Sequence, residues 1–477
     1  MRTLSVRSIQ PHGVSGRRAA RVLALAAFLI TGSGAPRAVD AADPAPQGQL
    51  SDHEKRIQEL EDTINRLKKD ERQLEVNVEN QKPLAGWSDG FNLASQDGAY
   101  KLKVGGYTQA DGRFFIDDAQ NRNTSQFTFR RARIDLQGTV AKYFNFRVLP
   151  DFAGSKAVLF DAYLDFNYIP EAVVRVGKFK PPVGLERLQS ATSLTFLERG
   201  QPTNLVPNRD NGVQLYGSIF GGAFAYQLGV FDGVPDGGNG DGDTNDDKDF
   251  AGRVFAVPFK NLAWDVVKGL GFGVAGSYGR EKGSPTSTDL PTFKTFGQST
   301  YFQYKAASSS PDATNTVVAA GNHSRISPQA NFYWGPFGFL GEYVTSEQTV
   351  SLKKQAATLS NDAWALTASY VVTGEAASYV GVVPARPFNP FDGTWGALEL
   401  AARYGELYVD PDAFRLGYAD PKKSARSDHE WVIGANWYLN KNVKLVLDYA
   451  NSSFDGGTAG GNRTVEQGLF TRAQLAF

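Results

Sequence analysis

The stretch FTFRRARIDLQGTV, Phe127–Val140, reads as a β-strand that carries three arginines within four positions, Arg130, Arg131 and Arg133. From Arg131 onward it alternates. Ala132, Ile134, Leu136, Gly138 and Val140 share one face, and Arg131, Arg133, Asp135, Gln137 and Thr139 share the other. Such a period of two marks a strand with one apolar side. A soluble β-sandwich meets the pattern as well as a membrane barrel does. In a barrel the apolar face would meet lipid and the arginines a watery lumen, since a guanidinium facing lipid at the midplane costs about 2–4 kcal/mol. Arg130 breaks the alternation, because Phe127 and Phe129 share the register of Arg131. Either a bulge sits near 130, or the strand begins there with Arg130 at the membrane interface.

The rest of the chain after Trp87 repeats this grammar. In YKLKVGGYTQADGRF, Tyr107, Gln109, Asp111 and Arg113 oppose Val104, Gly106, Thr108 and Ala110. In KYFNFRVLPDF, Phe144, Phe146 and Val148 oppose Asn145 and Arg147. In LFDAYLDFNYIP, Phe160, Ala162, Leu164, Phe166 and Tyr168 oppose Asp161, Tyr163, Asp165 and Asn167. Aromatic residues cluster near strand ends, as interfacial girdles require. The chain closes on LFTRAQLAF, an alternating strand ending in Phe477. Together with an export signal, these features predict an all-β fold, a 16-stranded antiparallel transmembrane β-barrel over residues 87–477, preceded by a short periplasmic coiled-coil helix. The count follows from roughly 24 residues per strand and connection. Phe231–Phe250 and the Ser-rich 282–325 region are expected as long external loops.

Residues 1–41 read as a secretory signal peptide, with a basic flank, a short apolar run from Val22 to Ile30, and cleavage after Ala41. Arg17–Arg18 lacks the rest of a twin-arginine signal, which points to Sec export. Residues 42–49 form a linker. Over 50–82, Leu50, Ile57, Ile64, Glu71 and Val78 fall on heptad position a, and His53, Leu60, Leu67 and Leu74 on d. This is the pattern of a short coiled coil, with a single amphipathic helix docked on a body as the alternative. Ile at a with Leu at d favours two strands. Pro83 ends the helix.

The chain has 50 basic and 50 acidic side chains. The first 41 residues hold six arginines and one aspartate, which leaves a body with 44 basic and 49 acidic residues. Such a body has no bulk affinity for nucleic acid. The absence of cysteine excludes disulfides, zinc–thiolate sites and cysteine nucleophiles. His323 falls in an apparent polar loop and His429 between Asp428 and Glu430, with no nucleophile motif beside either. No cofactor is indicated and no catalysis is expected. Asp241, Asp243, Asn245, Asp247 and Asp249 alternate like calcium ligands, but Asp246 and Gly252 stand where an EF-hand needs Gly and Glu. Residues 130–210 hold twelve basic and eight acidic side chains, whereas 231–250 hold seven aspartates and one lysine. Positive charge is therefore concentrated in the early strands and the segment after them. A plainer reading has those arginines pairing with wall carboxylates such as Asp161 and Asp165.

The motifs LKVGGYTQADGRFF, FRRARIDLQG, VRVGKFKPPVGLERLQSATS, NGVQLYGS, GALELAARYGELYVD and IGANWYLNKNVKLVLDYA, in that order, resemble the phosphate-selective porin O and P family. The resemblance implies a trimeric outer-membrane barrel of 16 strands, in which an infolded loop narrows the channel and a ladder of basic side chains guides anions. The family's Phe-Arg-Arg-Ala places its arginines on Arg130 and Arg131. Its Gly-Arg-Phe is Gly177-Lys178-Phe179. The infolded loop falls on Gly184 to Arg209, with Leu-Glu-Arg triplets at Leu185-Glu186-Arg187 and Leu197-Glu198-Arg199. Arg133 rests on alternation alone. The family's Gly-Gly-Arg is here Gly105-Gly106-Tyr107, which removes a lumen arginine and weakens the case for phosphate selectivity. The expected anion-guiding residues are Arg130, Arg131, Arg133, Lys178, Arg187 and Arg199. The expected partners are small anionic solutes, outer-membrane lipid and two further copies of the chain. Within transport the alternative is a general or cation-tolerant porin. Outside it, the alternative is a structural outer-membrane protein tethering the envelope through its coiled coil.

Overall fold

The computed structural model describes residues 47–80, 85–116, 123–154, 156–242, 245–307 and 315–477. The segment read as a signal peptide and residues 42–46 of the linker lie outside the described residues, as do residues 81 and 82 of the expected coiled coil. Two units are distinguished, and the first contains helix α1, Gln47–Asn80. Glu, Lys, Arg, Gln and Leu dominate it, and no Gly or Pro interrupts it after Gly48. Its heptad side chains Ile57, Leu60, Ile64 and Leu67 are exposed along one face.

The second unit is a closed antiparallel barrel of sixteen strands. They are β1 (Lys101–Ile116), β2 (Gln126–Val140), β3 (Phe144–Asp151), β4 (Val158–Phe166), β5 (Val173–Phe179), β6 (Asp210–Ile219), β7 (Phe224–Phe231) and β8 (Asp249–Ala256), followed by β9 (Leu270–Lys282), β10 (Val318–Trp334), β11 (Phe337–Leu352), β12 (Gln355–Val371), β13 (Ala397–Tyr408), β14 (Ala425–Tyr438), β15 (Val443–Thr458) and β16 (Glu466–Ala476). Each strand pairs with its sequence neighbour, and β16 closes on β1 from Gln467↔Ile116 to Ala476↔Tyr107. Phe477 completes the seam by exchanging two backbone hydrogen bonds with Gly106, at 2.8 and 2.9 Å. Gly105 permits this approach, since a Cβ there would lie 2.5 Å from the Phe477 carbonyl oxygen. Below the seam, a short strand Phe91–Ala94 pairs with Lys101–Val104, and Trp87 stacks on Phe477 at 5.9 Å.

The outward faces carry Ile134, Val176, Leu215, Phe272, Leu366, Ile433 and Leu447, exposed in the isolated chain as a lipid-facing surface should be. Rings gather toward the strand ends, with Trp334 stacked on Phe337 and Phe337 against Tyr370. The longest connections, 180–209 and 283–317, lie at the end opposite the closing Phe477, which makes that end the extracellular one.

Two bulges adjust the expected faces. The register shifts between Gln109↔Arg131 and Ala110↔Phe129, so Arg130 is the extra residue. Phe127 and Phe129 then face outward, 81% and 63% exposed, while Arg130 and Arg131 both turn inward. This decides between the two readings of Arg130. A second shift, between Leu149↔Asp161 and Pro150↔Leu159, bulges Phe160 into the lumen. Phe160 therefore leaves the face it was expected to share with Ala162 and Leu164. Pro150 has no N–H to give to a ladder, which suits it to this place.

Two further expectations are corrected. The 282–325 region is not simply an external loop. It contains a hairpin, Thr292–Lys294 with Thr300–Gln303, whose Phe293 and Phe302 are fully buried within the barrel mouth. His323 is on β10, not in a loop, and is buried between Glu281 (2.8 Å) and Ser346 (3.0 Å). The packed interior sits in the upper barrel, where Val183, Leu205, Val206, Phe293, Phe302 and Tyr418 join one cluster. A second cluster holds Phe196 and Leu197 against Val432, Val446 and Phe470 on the far wall.

Candidate functional site: a cation-lined constriction

Loop 180–209 leaves β5 and crosses the lumen. Gly184, at φ +90°, turns the chain into a single helical turn, Leu185–Leu188. The first amides of that turn, Leu185 N and Glu186 N, donate to the two oxygens of Glu342 on β11, at 2.7 and 3.2 Å. Further along, Leu197 N donates to Asp448 on β15 at 2.8 Å, and Arg403 on β13 donates to the Glu198 carbonyl at 3.0 Å. Polar side chains on the opposite wall thus satisfy backbone groups that no ladder can, and they fix the loop across the channel.

Between this loop and strands β2 to β7 lies a cavity of about 700 Å³. Its lining includes ten arginines and lysines and three carboxylates, Asp161, Glu198 and Asp236. Strands supply Arg130, Arg131 and Arg133 from β2, Arg147 from β3 and Arg175 from β5. The loop supplies Lys180, Arg187, Arg199 and Arg209, and the buried hairpin supplies Lys294.

The cations fall into two groups. In the first, each guanidinium has a carboxylate. Arg133 meets Asp151 at 2.7 Å, Arg147 meets Asp135 at 2.7 Å and Asp161 at 3.2 Å, Arg175 meets Asp165 at 2.7 Å, and Arg209 meets Asp161 at 3.1 Å. Arg130 and Arg131 meet Glu198 at 2.5 and 3.6 Å. Wall pairing is therefore real, and Asp161 and Asp165 are part of it, but through Arg147, Arg209 and Arg175.

The second group is Lys180, Arg187 and Arg199 of the loop with Lys294 of the hairpin, which form no ion pair among the described residues. Lys180 donates to the carbonyls of Leu188 and Gln189 at 3.1 and 2.9 Å. Arg187 donates to the Thr203 carbonyl, and Arg199 to those of Glu186 and Gln189, both at 2.8 Å. Burial, then the like charges of Arg209, Arg199 and Arg187, push the Lys180 ammonium well below the ordinary lysine value. Burial and the neighbouring Arg199 and Arg209 bring Arg187 down to about 9. Burial chiefly, with Arg209 adding to it, brings Arg199 to about 10, against the partial relief of Glu186. Three crowded cations held by neutral oxygens leave net positive charge for a mobile ion to compensate.

Of the six residues expected from sequence, Arg130, Arg131, Arg133, Arg187 and Arg199 line this cavity. Lys178 does not. It follows Gly177, at φ +128°, where a Cβ would lie 2.3 Å from the Ala162 carbonyl oxygen, and its ammonium is taken by Asp241 of the acidic loop. Sequence reasoning missed the weight of Arg147, Arg175, Lys180 and Arg209. The first two stand at inward positions of alternating strands and were open to the parity argument that found Arg133. The other two lie in a loop, where no period exists. Tyr107, across the ladder from Arg133, accepts a hydrogen bond from its Nη1 at 2.6 Å. An arginine at 107 would instead confront Arg133. Phe160 lies 3.9 Å from the Arg133 guanidinium and 4.8 Å from that of Arg209, so one ring holds two cations.

A closed sixteen-stranded barrel with a loop folded across a charged narrowing defines a class, the outer-membrane porins. More narrowly, the family model for phosphate-selective porin O and P matches residues 102–477, and the chain belongs to that family. It is 25% identical to Porin O of Pseudomonas aeruginosa over 424 residues, covering 81% of this chain and 91% of that protein. Among solved structures it is similar to the outer-membrane channel DcaP of Acinetobacter baumannii, with a TM-score of 0.52 at 11% identity over 81% of this chain and 99% of that one. The anion-selective porin of Comamonas acidovorans gives a TM-score of 0.49 at 12% identity over 79% and 100%.

Proposed function

We propose that this porin passes small anions in preference to cations, with phosphate-like oxyanions among its solutes, by passive diffusion and without a catalytic step. The observation that carries the reading is the group Lys180, Arg187 and Arg199, which hold unneutralised charge on the infolded loop. Arg130, Arg131 and Arg133 act beside them in a series of weak sites, so that an ion can enter and leave again. The name of the Pseudomonas relative's family and the Arg-rich wall support the oxyanion preference, since a guanidinium fork matches two oxygens at once. Tyr107, in place of a family arginine, argues for a broader anion range than phosphate alone.

The decisive measurement is the single-channel reversal potential of the purified porin in a potassium chloride gradient, followed by phosphate addition. Anion preference with phosphate block is expected, and K180Q/R187Q/R199Q together should abolish most of the preference. A cation-selective wild type would overturn the reading.

The working unit is a homotrimer. Strands β3, β5, β7 and β8 have seven or eight residues, fewer than the 9–11 that a tilted strand needs to cross lipid. A protein neighbour along that arc removes the need to span lipid there. Helix α1, with its exposed Ile57, Leu60, Ile64 and Leu67, joins copies in the periplasm as a coiled coil. The same helix supports a second role, a tether between the membrane and the rest of the envelope.

A further inference from the structure

The carboxylate of Glu198 faces four guanidiniums. Its Oε1 lies 2.5 Å from Arg130 Nε, 3.5 Å from Arg113 Nη2 and 3.9 Å from Arg472 Nη2. Its Oε2 lies 3.1 Å from Arg130 Nη2 and 3.6 Å from Arg131 Nη2. Arg472 is also held by both oxygens of Asp111, at 2.7 and 2.8 Å, and Arg113 lies 3.9 Å from the same acid. Four positive charges thus share two negative ones, and Glu198 and its partners Arg130 and Arg131 open onto the conducting cavity.

Other groups beside this carboxylate hold the loop in place. The neighbouring backbone is fixed by other groups, with Leu197 N on Asp448, the Glu198 carbonyl on Arg403, and the Leu197 carbonyl on Arg472 Nη1 at 2.8 Å. Phe196 and Leu197 add apolar contact with the far wall. What the side chain supplies is two oxygens, in a plane, to a nest of arginines. That is the recognition geometry of an oxyanion. Burial alone would raise the Glu198 carboxyl, but the guanidiniums of Arg130, Arg131 and Arg472 outweigh it and hold the group well below the usual carboxylate range.

We propose that Glu198 is a tethered occupant of an oxyanion site built by Arg113, Arg130, Arg131 and Arg472, and that its carboxylate competes with each passing oxyanion and so sets how long the ion is held. The inference rests on the anion reading above. Without the competitor, four arginines would bind an oxyanion tightly and stall its passage. With it, each ion exchanges against a charge that cannot leave.

The test is phosphate block of chloride current through single channels of wild type, E198Q, E198S and E198D, each confirmed as folded by heat-modifiable migration. E198Q keeps the volume and removes the charge, and it should lower the half-blocking phosphate concentration about tenfold while raising chloride preference. E198S should move in the same direction, which keeps the test intact if either neutral variant fails to assemble. E198D keeps the charge and should block near the wild-type concentration. An unchanged midpoint in the neutral variants of an anion-selective wild type overturns this inference alone, as does E198D tightening as much as E198Q. A cation-selective wild type overturns the anion reading and this inference together.

Discussion

At the scale of single residues, the channel separates cations that are spoken for from cations that are not. An arginine beside a carboxylate shapes the wall and the field, but it offers little net charge. Lys180, Arg187 and Arg199 are crowded and bonded only to neutral oxygens, and pH reveals them. Their folded-state affinities for protons are lowered, so charge is lost at lower pH than for free side chains. Anion preference should therefore weaken as pH rises, with Arg187 losing its charge through about 9 and Arg199 through about 10, measured as reversal potential against pH. The linkage has the opposite sign for stability. Between the folded and unfolded values the unfolded chain binds more protons, so the barrel gains stability as pH rises there. Sequence parity located Arg131 and Arg133 because an alternating strand leaves no choice of side. It misplaced Phe160 and could not choose for Arg130, because each sits at a bulge. A bulge is a property of the pairing between two strands and leaves no period in either one.

At the scale of elements, the infolded loop is the working part, and its position depends on the wall opposite its origin. Asp448 accepts from Leu197 N, and an intramolecular hydrogen bond contributes about 0.5–1.5 kcal/mol. Asp448→Ala should loosen that half of the loop while Phe196 and Leu197 retain part of its anchorage. Larger and noisier single-channel conductance with weaker anion preference is expected in planar bilayers. The loop's extent was legible from its motifs, whereas its anchors Glu342, Arg403 and Asp448 were not. They lie on strands far away in sequence, each reading as an ordinary inward polar residue. The hairpin at 292–303 was hidden for a related reason. Its burying residues, Phe293, Tyr301 and Phe302, sit within a Ser- and Thr-rich stretch that reads as a solvated tip.

At the scale of the whole molecule, strand count and closure followed from alternation, spacing and the terminal phenylalanine, because lipid outside and water inside impose one pattern on every strand. What the pattern does not carry is the difference between one side of the barrel and the other. The strands of seven or eight residues gather between β3 and β8, and β9 to β12 run to 13–17 residues. An assembly of several copies would give that asymmetry a purpose, and on the proposed coiled-coil reading helix α1 would supply a second contact. Leu60→Ser with Leu67→Ser should lower the temperature at which trimers dissociate on semi-native gels and leave single-channel anion preference unchanged. Loss of preference in that variant would mean that the helix acts on the pore itself.

The seam between β16 and β1 has a consequence in time. The residues that meet there are separated by almost the entire barrel sequence, so this pairing carries the largest loop-closure entropy and forms slowly. Until it forms, the sheet has two raw edges and an oily outer surface, a template for sticking to any other unfinished chain. Phe477 and the glycines it meets therefore do more than finish a cylinder. They end the dangerous interval of the protein's life, and the discrimination between ions begins only when that interval is over.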